Sequence, residues 1–263
     1  MFDMKGHVAI VTGSATGLGA AVALKLAERG ARVVVNYTKS IKEAEETLGL
    51  AKAKGVDATL AQGDVANDDD CKRIAKAALD RWGRIDILVN NAGTTKFADH
   101  ADLDALNAED FLSIYKVNVV GAFQMIRACA PALKESKFGR VVNISSIAAV
   151  LGVGSSVAYA SSKGALNTMT KSLARALAPE IRVNAVCPGF IGTRWFSERF
   201  GPETYARIVE HNMQSTPLHR AGTPEDIADA VAFFCAEGAL HITGETLLSD
   251  AGHHLALAGV TRR

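Results

Sequence analysis

Residues His7-Val8-Ala9-Ile10-Val11-Thr12 are followed directly by Gly13-Ser14-Ala15-Thr16-Gly17-Leu18-Gly19. The first segment, His7–Thr12, is predicted to be a buried strand, because it is mostly apolar and rich in β-branched residues. Apolar residues then recur at helical spacing through Gly17–Arg29. Glycines between a strand and a helix let the backbone turn sharply and approach a pyrophosphate at the helix N-terminus. We therefore predict a phosphate-binding turn; the alternative is an ordinary strand–helix turn.

Strands and helices alternate along the rest of the chain. Further strands are predicted at Arg32–Asn36, Asp57–Ala61, Ile85–Asn90, Arg140–Ser145, Arg182–Cys187 and Thr246–Leu248. Further helices are predicted at Ile41–Lys54, Asp68–Trp82, Asn107–Lys134, Val157–Leu177 and Pro224–Ala236. This order predicts an α/β fold, a doubly wound parallel sheet of Rossmann-like type with helices on both faces, in one domain spanning residues 1–263. The one stretch expected to be irregular is Phe190–Pro217.

Composition excludes several classes of protein. The 263 residues carry a net charge of +1 without a basic block, so we expect no nucleic-acid partner. Apolar stretches such as Val117–Phe123 are far shorter than the roughly 20 residues of a membrane span. We also find no signal-peptide pattern, and the four cysteines form no CxxC pair. We therefore expect a reduced, cytoplasmic protein with no membrane contact and no metal site.

The end of the second strand bears on the choice of dinucleotide. Folds that prefer NAD usually place a carboxylate there, against the ribose 2′-hydroxyl. This chain has Asn36 followed by Tyr37, Thr38, Lys39 and Ser40. An uncharged Asn36 would not repel a 2′-phosphate, and hydroxyl donors and a cation follow it. We predict NADP(H), with NAD(H) as the alternative.

A serine, a tyrosine and a lysine follow the fifth strand. Tyr159 and Lys163 are four residues apart and so lie on one helix face, while Ser146 comes directly after the strand Arg140–Ser145. An ammonium about 4 Å from a phenol, at an effective dielectric near 20, favours the phenolate by about 4 kcal/mol. We therefore predict that Lys163 lowers the pKa of Tyr159, which then exchanges a proton with an alcohol or ketone. The alternative for Tyr-x-x-x-Lys alone is a surface tyrosine beside a solvated lysine.

With these motifs in this order, the chain resembles the short-chain dehydrogenase/reductase family over nearly its whole length. The resemblance implies that Tyr159 is the general acid/base, that Ser146 positions the substrate carbonyl, that Lys163 also holds the nicotinamide ribose, and that Asn118 anchors a proton-relaying water. It implies hydride transfer between a nicotinamide and the substrate carbon. The cofactor residues it implies, together with those above, are Gly13, Ser14, Thr16, Gly17, Leu18, Gly19, Asn36, Tyr37, Thr38, Asp64, Val65, Asn91, Ala92, Gly93, Tyr159, Lys163, Pro188, Gly189, Ile191 and Thr193.

The same resemblance makes residues 190–217 a substrate lid. Five of the chain's 16 aromatic residues fall between Phe190 and Tyr205, which indicates an apolar function for this segment. We expect a pocket for a small, mid-sized lipophilic carbonyl compound, lined by Phe97, Ala148, Leu151, Trp195 and Phe196. The alternative is that the aromatics cover the core or a subunit contact.

Three points stay open at this stage. The chain is similar to 3-oxoacyl-carrier-protein reductases and to sugar dehydrogenases, so a sugar or polyol dehydrogenase is an alternative, as is a catalytically silent cofactor-binding protein. Binding of a carrier protein is in doubt, since the turn Ala178-Pro179-Glu180 is acidic where basic residues would be needed. The family resemblance implies a homotetramer, or a dimer.

Overall fold

The described residues form one seven-stranded parallel sheet. The structure is a computed structural model that describes residues 3–192 and 194–255, with the backbone alone for 194–200. The strands are β1 (Val8–Val11), β2 (Arg32–Tyr37), β3 (Ala58–Gln62), β4 (Ile87–Asn90), β5 (Gly139–Ile144), β6 (Ile181–Pro188) and β7 (Thr246–Ser249). Their order in the sheet is β3-β2-β1-β4-β5-β6-β7, and every neighbouring pair is parallel. The predicted doubly wound fold is confirmed.

Helices cover both faces of this sheet. They are α1 (Gly17–Glu28), α2 (Ile41–Ala53), α3 (Asp68–Trp82), α4 (Ala108–Tyr115), α5 (Ala122–Glu135), α6 (Ala148–Leu151), α7 (Val157–Leu177), α8 (Arg194–Ser215) and α9 (Pro224–Cys235). Alternate residues of β1 face opposite sides: Ala9 and Val11 pack in one buried core, Val8 and Ile10 in the other. Because both faces are covered, the strands are continuously apolar, as the sequence indicated.

The order of the strands positions the site. The chain passes from β1 to β2 and β3 on one side of β1 and then crosses from β3 to β4 on the other side, so a crevice opens beyond the carboxyl ends of β1 and β4. Ligands of doubly wound sheets bind at this switch point. The glycine-rich turn follows β1, and Asn91-Ala92-Gly93 follows β4, so both border the crevice.

The long helix predicted at Asn107–Lys134 is interrupted. Lys116–Gly121 forms a π-helical turn between α4 and α5, and Asn118 lies in it with 1% of its surface exposed. Single π turns inside helices occur often at functional sites. The apolar spacing continues across the turn, so nothing local in the sequence marked the break.

The segment expected to be irregular, Phe190–Pro217, contains helix α8, so that expectation was wrong. A non-helical Gly201 (φ 74°, ψ 163°) divides α8 just before Pro202. A glycine followed by proline is typical of a loop, which is why the helix on each side was missed. The short helix α6, between β5 and α7, was also not predicted.

Candidate active site

A large cleft lies over the carboxyl ends of the central strands. Its volume is about 1210 Å³. Pockets for single drug-sized ligands hold about 300–1,000 Å³, so this cleft has room for a large cofactor together with a substrate. The predicted residues that line it are Thr16, Gly17, Leu18, Asn91, Gly93, Phe97, Ser146, Ala148, Tyr159, Lys163, Pro188, Gly189 and Ile191.

The glycine-rich turn is held in shape by the residues that follow β4. Gly13 and Gly17 both adopt positive φ, 59° and 58°, which favours glycine over other residues. The Asn91 side chain donates to the carbonyls of Thr12 (2.9 Å) and Gly13 (3.0 Å). A methyl group on Gly19 would lie 2.4 Å from the Gly13 oxygen, so only glycine lets α1 approach this closely. The turn is therefore a packed, preformed structure.

The N-terminus of α1 suits a phosphate group. Within the described chain, the Thr16 side chain makes no capping hydrogen bond, and the first turn of α1 carries no acid. A methyl group built on Gly17 would meet no described atom within 4 Å, so there is open space in front of the helix. The first backbone N–H groups of a helix need acceptors, and the helix dipole favours an anion. These features fit the pyrophosphate of a dinucleotide.

Asn36 lies at the end of β2, but its side chain turns into the protein and not toward a cofactor ribose as predicted. It is 1% exposed, and its side-chain oxygen accepts from the Gly13 N–H at 2.9 Å. Its amide donates to the carbonyls of Ala61 and Gly63, both at 3.1 Å. With these bonds made inside the protein, the side chain supports the turn and is not placed to contact a ribose. The neighbouring Tyr37 is half-buried against the core and Thr38 is exposed; among the described residues, neither lines the cleft, so their predicted contact with a cofactor stays a prediction.

Asp64 and Val65 also have structural contacts. The Asp64 carboxylate accepts from the Ala66 N–H at 2.9 Å, and the Val65 carbonyl accepts from Gln124 Nε2 at 2.8 Å. Asp64 is exposed and Val65 is 4% exposed. Among the described residues, neither lines the cleft. Their predicted contact with a cofactor stays a prediction.

Ser146 and Tyr159 lie next to each other in the wall of the cleft. Ser146 follows β5, and its Oγ accepts from the Ala148 N–H at 3.1 Å, which starts α6. Ser156 caps α7 by accepting from the Tyr159 N–H at 3.2 Å. Burial raises the pKa of Tyr159, and the hydrogen bond with Ser146 opposes this. The phenol is therefore held protonated at neutral pH, with a hydroxyl partner already in place.

Lys163 lies behind this pair, one helical turn after Tyr159. Its Nζ lies 5.6 Å from the Tyr159 ring centroid and donates to the Ile144 carbonyl at 2.8 Å. Burial lowers the pKa of Lys163 from 10.5 to about 8. The predicted lowering of the Tyr159 pKa by the ammonium is therefore wrong: burial prevails and raises the pKa of the phenol. The predicted position of Tyr159 and Lys163 on one face of the same helix is confirmed.

Asn118 connects the π-helical turn to the cleft. Its Oδ1 accepts from the Thr94 N–H at 2.8 Å, and its Nδ2 donates to the Thr94 carbonyl and to Ser162 Oγ, both at 3.0 Å. A methyl group on Gly93 would lie 3.4 Å from Asn118 Oδ1 and 3.6 Å from Lys163 Nζ. Asn118, Gly93 and Lys163 thus come together although up to 70 positions separate them in the sequence.

Some predicted pocket residues are placed elsewhere or are not described. Leu151 is 39% exposed and is not among the described residues that line the cleft. Thr193 lies outside the described residues, and so do the side chains of Trp195 and Phe196.

Sequence reasoning missed several residues of the cleft. At its substrate end these are Thr94, Thr95, Val153, Ser155 and Ile208, and near the glycine-rich turn they are Glu43 and Glu46. The available signal was position: Thr94 and Thr95 follow Asn91-Ala92-Gly93 directly, and Val153 and Ser155 lie between Ser146 and Tyr159.

Two further observations concern the part of the chain that the structure describes. It contains no group of three or more His, Cys, Asp or Glu side chains arranged to hold a metal ion. None of its helices has the length and apolar character needed to cross a membrane.

Comparisons with known proteins agree with this geometry. A family model described as enoyl-(acyl carrier protein) reductase matches residues 13–254. The chain is 43% identical over 248 residues to a candidate ketoacyl reductase of the granaticin polyketide synthase from Streptomyces violaceoruber, covering 94% of this chain and 96% of that one.

Solved structures are also similar. A candidate short-chain dehydrogenase/reductase from Burkholderia xenovorans is 38% identical, with a TM-score of 0.87 over 95% of this chain and 98% of that one. A 7α-hydroxysteroid dehydrogenase, solved with NADH and 7-oxo glycochenodeoxycholic acid, is 31% identical, with a TM-score of 0.86 over 95% of each chain.

Proposed function

The chain belongs to the short-chain dehydrogenase/reductase family of oxidoreductases, and from this premise we propose that it reduces a ketone to a secondary alcohol with NADP(H). The observation that carries the proposal is that Ser146, Tyr159 and Lys163 line the same cleft as the glycine-rich turn, with Lys163 buried beside the Tyr159 ring. A bound nicotinamide would supply the hydride. The proton must then come from the protein.

Each of the three residues has a distinct part in the proposed reaction. Ser146 Oγ donates a hydrogen bond to the ketone oxygen and holds it against the Tyr159 hydroxyl. Tyr159 gives its proton to that oxygen as the carbonyl carbon receives the hydride, which leaves a secondary alcohol and a phenolate. Lys163, beside the ring, is protonated at neutral pH, and its positive charge stabilises that phenolate.

The pKa shifts favour the reductive direction. Reduction requires a protonated acid at the start, and burial raises the pKa of Tyr159, so the phenol holds its proton at neutral pH. Oxidation of an alcohol requires the phenolate first, which the buried site disfavours. We therefore propose a reductase as the physiological activity, with alcohol oxidation favoured only at alkaline pH.

The proposed preference for NADP(H) rests on the residues after β2. The side chains there are Tyr37 and the exposed Thr38, Lys39 and Ser40, with no carboxylate among them. Glu43 and Glu46, which both line the cleft, act against the 2′-phosphate. We propose that Lys39 and the hydroxyl groups outweigh them.

The rest of the cleft supports a mid-sized, largely apolar ketone. Phe97, Val153, Phe190 and Ile208 line its substrate end, and Ile208 comes from α8. We propose that α8, within residues 190–217, is the substrate lid. Since Pro179 and Glu180 after α7 are exposed and offer no cation, we propose a substrate that is not carried on a protein.

Two wider properties complete the proposal. Exposed apolar side chains on the α4–α5 region, Leu112, Val120 and Phe123, support a homotetramer or dimer. The cysteines, all four of them described, are buried and unpaired, which supports a reducing cytoplasmic location.

The proposal is tested by following absorbance at 340 nm with a panel of ketones and alcohols, with NADPH and NADH in parallel. We expect the wild-type protein to reduce ketones faster with NADPH. The Tyr159→Phe variant should lose at least about 1,000-fold in kcat, because it has no acid, while keeping its affinity for NADPH.

The matched control is Tyr115→Phe, which removes a hydroxyl from α4. It should keep wild-type kinetics. Equal activity of wild type and Tyr159→Phe would contradict the assignment of the acid, and a wild-type protein that binds NADPH but turns over no member of the panel would support a silent cofactor-binding protein.

A further inference from the structure

Two hydroxyl groups at the substrate end of the cleft have no part in the steps above. Thr95 Oγ1 and Ser155 Oγ lie 2.6 Å apart, and both residues line the cleft. One hydroxyl donates to the other. When Thr95 donates to Ser155, the Ser155 O–H is available to a ligand; in the opposite arrangement Thr95 Oγ1 can donate to the Lys96 carbonyl at 3.4 Å. Most of their neighbours in this part of the cleft are apolar, including Phe97 and Val153. A few polar groups in an otherwise apolar pocket usually set the orientation and specificity of a ligand.

The backbone on both sides fixes this pair relative to the reacting groups. On one side, Asn118 binds the N–H (2.8 Å) and the carbonyl (3.0 Å) of Thr94, the residue before Thr95. On the other, Ser156, the residue after Ser155, caps α7 at the Tyr159 N–H. The Ser155 carbonyl also accepts from the Ala98 N–H at 2.9 Å, which ties the two loops together. The hydroxyl pair is therefore held on the same supports as the catalytic residues.

The chain next to the pair also packs against the Tyr159 ring. A methyl group built on Gly154, the residue before Ser155, would lie 3.7 Å from Tyr159 Cδ1. The chain thus passes against the Tyr159 ring immediately before it reaches Ser155. A substrate whose ketone oxygen is bound by Ser146 and Tyr159 has its neighbouring atoms within range of this wall of the cleft.

We propose that the Thr95–Ser155 hydroxyl pair binds a second oxygen of the substrate, and that the natural substrate is a ketone with a second acceptor oxygen near the reacting carbonyl. This inference rests on the proposed ketone reduction and narrows its substrate class. A simple ketone of the same length leaves the pair without a partner, and sites built to hydrogen-bond a substrate group discriminate strongly against analogues that lack it.

The test compares two ketones with chains of equal length, ethyl 3-oxobutanoate and 2-heptanone, in which methylene groups replace the ester carbonyl group and the alkoxy oxygen. The variants are Thr95→Val and Ser155→Ala, singly and together. We expect each single variant to lose about 3- to 10-fold in kcat/KM for the ester, the range of one neutral hydrogen bond. For 2-heptanone we expect the same variants to stay within about twofold of the wild type. Because the ketones differ in intrinsic reactivity, each variant is compared with the wild type on the same ketone.

Two further results separate binding from a structural effect. The double variant should lose little more than either single variant, because the hydroxyls act as a unit. Thr95→Ser should restore the ester activity, since it keeps the hydroxyl. The matched control is Ser113→Ala, which removes a hydroxyl on α4 that bonds the Asp110 carbonyl, and it should change neither substrate.

Three outcomes overturn the inference. Equal losses on both ketones indicate a structural effect, and no loss on the ester shows that the pair does not bind it. A wild-type protein that reduces neither ketone contradicts the proposed function itself. A failure of the proposed function is therefore seen with the wild-type protein alone, whereas a failure of this inference is seen only when the variants are compared with it.

Discussion

Asn36 and Tyr37 are neighbours at the end of β2, but the pleat of the strand turns them to opposite sides. The Asn36 amide donates to two carbonyls and accepts from Gly13, all inside the fold. In Asn36→Asp a carboxylate oxygen would meet the carbonyls of Ala61 and Gly63, so we expect a loss of at least about 3 kcal/mol in the free energy of unfolding. Urea unfolding measures this directly.

The matched substitution is Tyr37→Asp, at the next residue. Under the proposed function, the carboxylate of Tyr37→Asp at the end of β2 would repel a 2′-phosphate. Because Tyr37 is only half-buried, we expect a smaller loss of stability than for Asn36→Asp, together with a fall of at least about tenfold in the ratio of NADPH to NADH affinity, measured by fluorescence titration. If Asn36→Asp instead unfolds at the wild-type urea concentration and binds NADH more tightly, the Asn36 side chain faces the ribose after all.

At the scale of elements, the contact between α1 and the turn before it decides whether the cleft can form. A methyl group on Gly19 would lie 2.4 Å from the Gly13 oxygen and 2.5 Å from Asn91 Nδ2. We expect Gly19→Ala to cost about 1–3 kcal/mol in unfolding free energy through overpacking. It should also weaken NADPH binding by at least about tenfold, because α1 is displaced from the turn.

Gly49→Ala is the control for glycine replacement in a helix. Gly49 is exposed on α2, and a methyl group there would meet no described atom within 4 Å. It should stabilise the protein by about 0.5–1 kcal/mol through helix propensity and leave NADPH affinity unchanged. If both alanine variants bind NADPH like the wild type, the close contact at Gly19 is not what shapes the turn.

The strands and helices also show how much of the fold could be predicted from the sequence. All seven strands were found to within about two residues at most ends, because buried parallel strands are continuously apolar and separated by helical periods. The break at Lys116–Gly121 was missed because it depends on Asn118 bonding to Thr94 and Ser162, residues far away in the chain. In α8, the pair Gly201-Pro202 indicated a loop although helix continues on both sides.

At the candidate site, the spacing of residues in the sequence predicted which side chains lie together. Ser146, Tyr159 and Lys163 were placed together because strand ends and one helix face are readable from local order. The Thr95–Ser155 pair was not predicted, since 60 residues separate its members. The shift of the Tyr159 pKa was predicted with the wrong sign, because burial is a property of the whole fold, which the spacing of two residues does not reveal.

At the scale of the whole molecule, burial of Lys163 costs the protein stability. Its pKa falls from 10.5 to about 8 on folding. Below about pH 8 both folded and unfolded chains are protonated, and the cost of burying the charge is present in full. Between about pH 8 and 10.5 the unfolded chain holds a proton that the folded chain lacks. The free energy of unfolding should therefore rise with pH across this window.

Lys163→Met removes the charge but keeps a long side chain, so the variant should be more stable than the wild type although it is inactive. The gain at pH 7 should be at most about 3 kcal/mol, the free energy that corresponds to the lowered pKa, reduced by the lost bond to the Ile144 carbonyl. This gain in stability should shrink as the pH rises from 8 to 10.5, because only the wild type gains stability there; urea unfolding at several pH values measures this.

Lys171→Met, at an exposed position of α7, is the control and should differ from wild type in free energy of unfolding by a constant amount. A constant difference for Lys163→Met as well would mean that the lysine stays charged in the folded protein, and the cleft would then be more hydrated than its burial indicates.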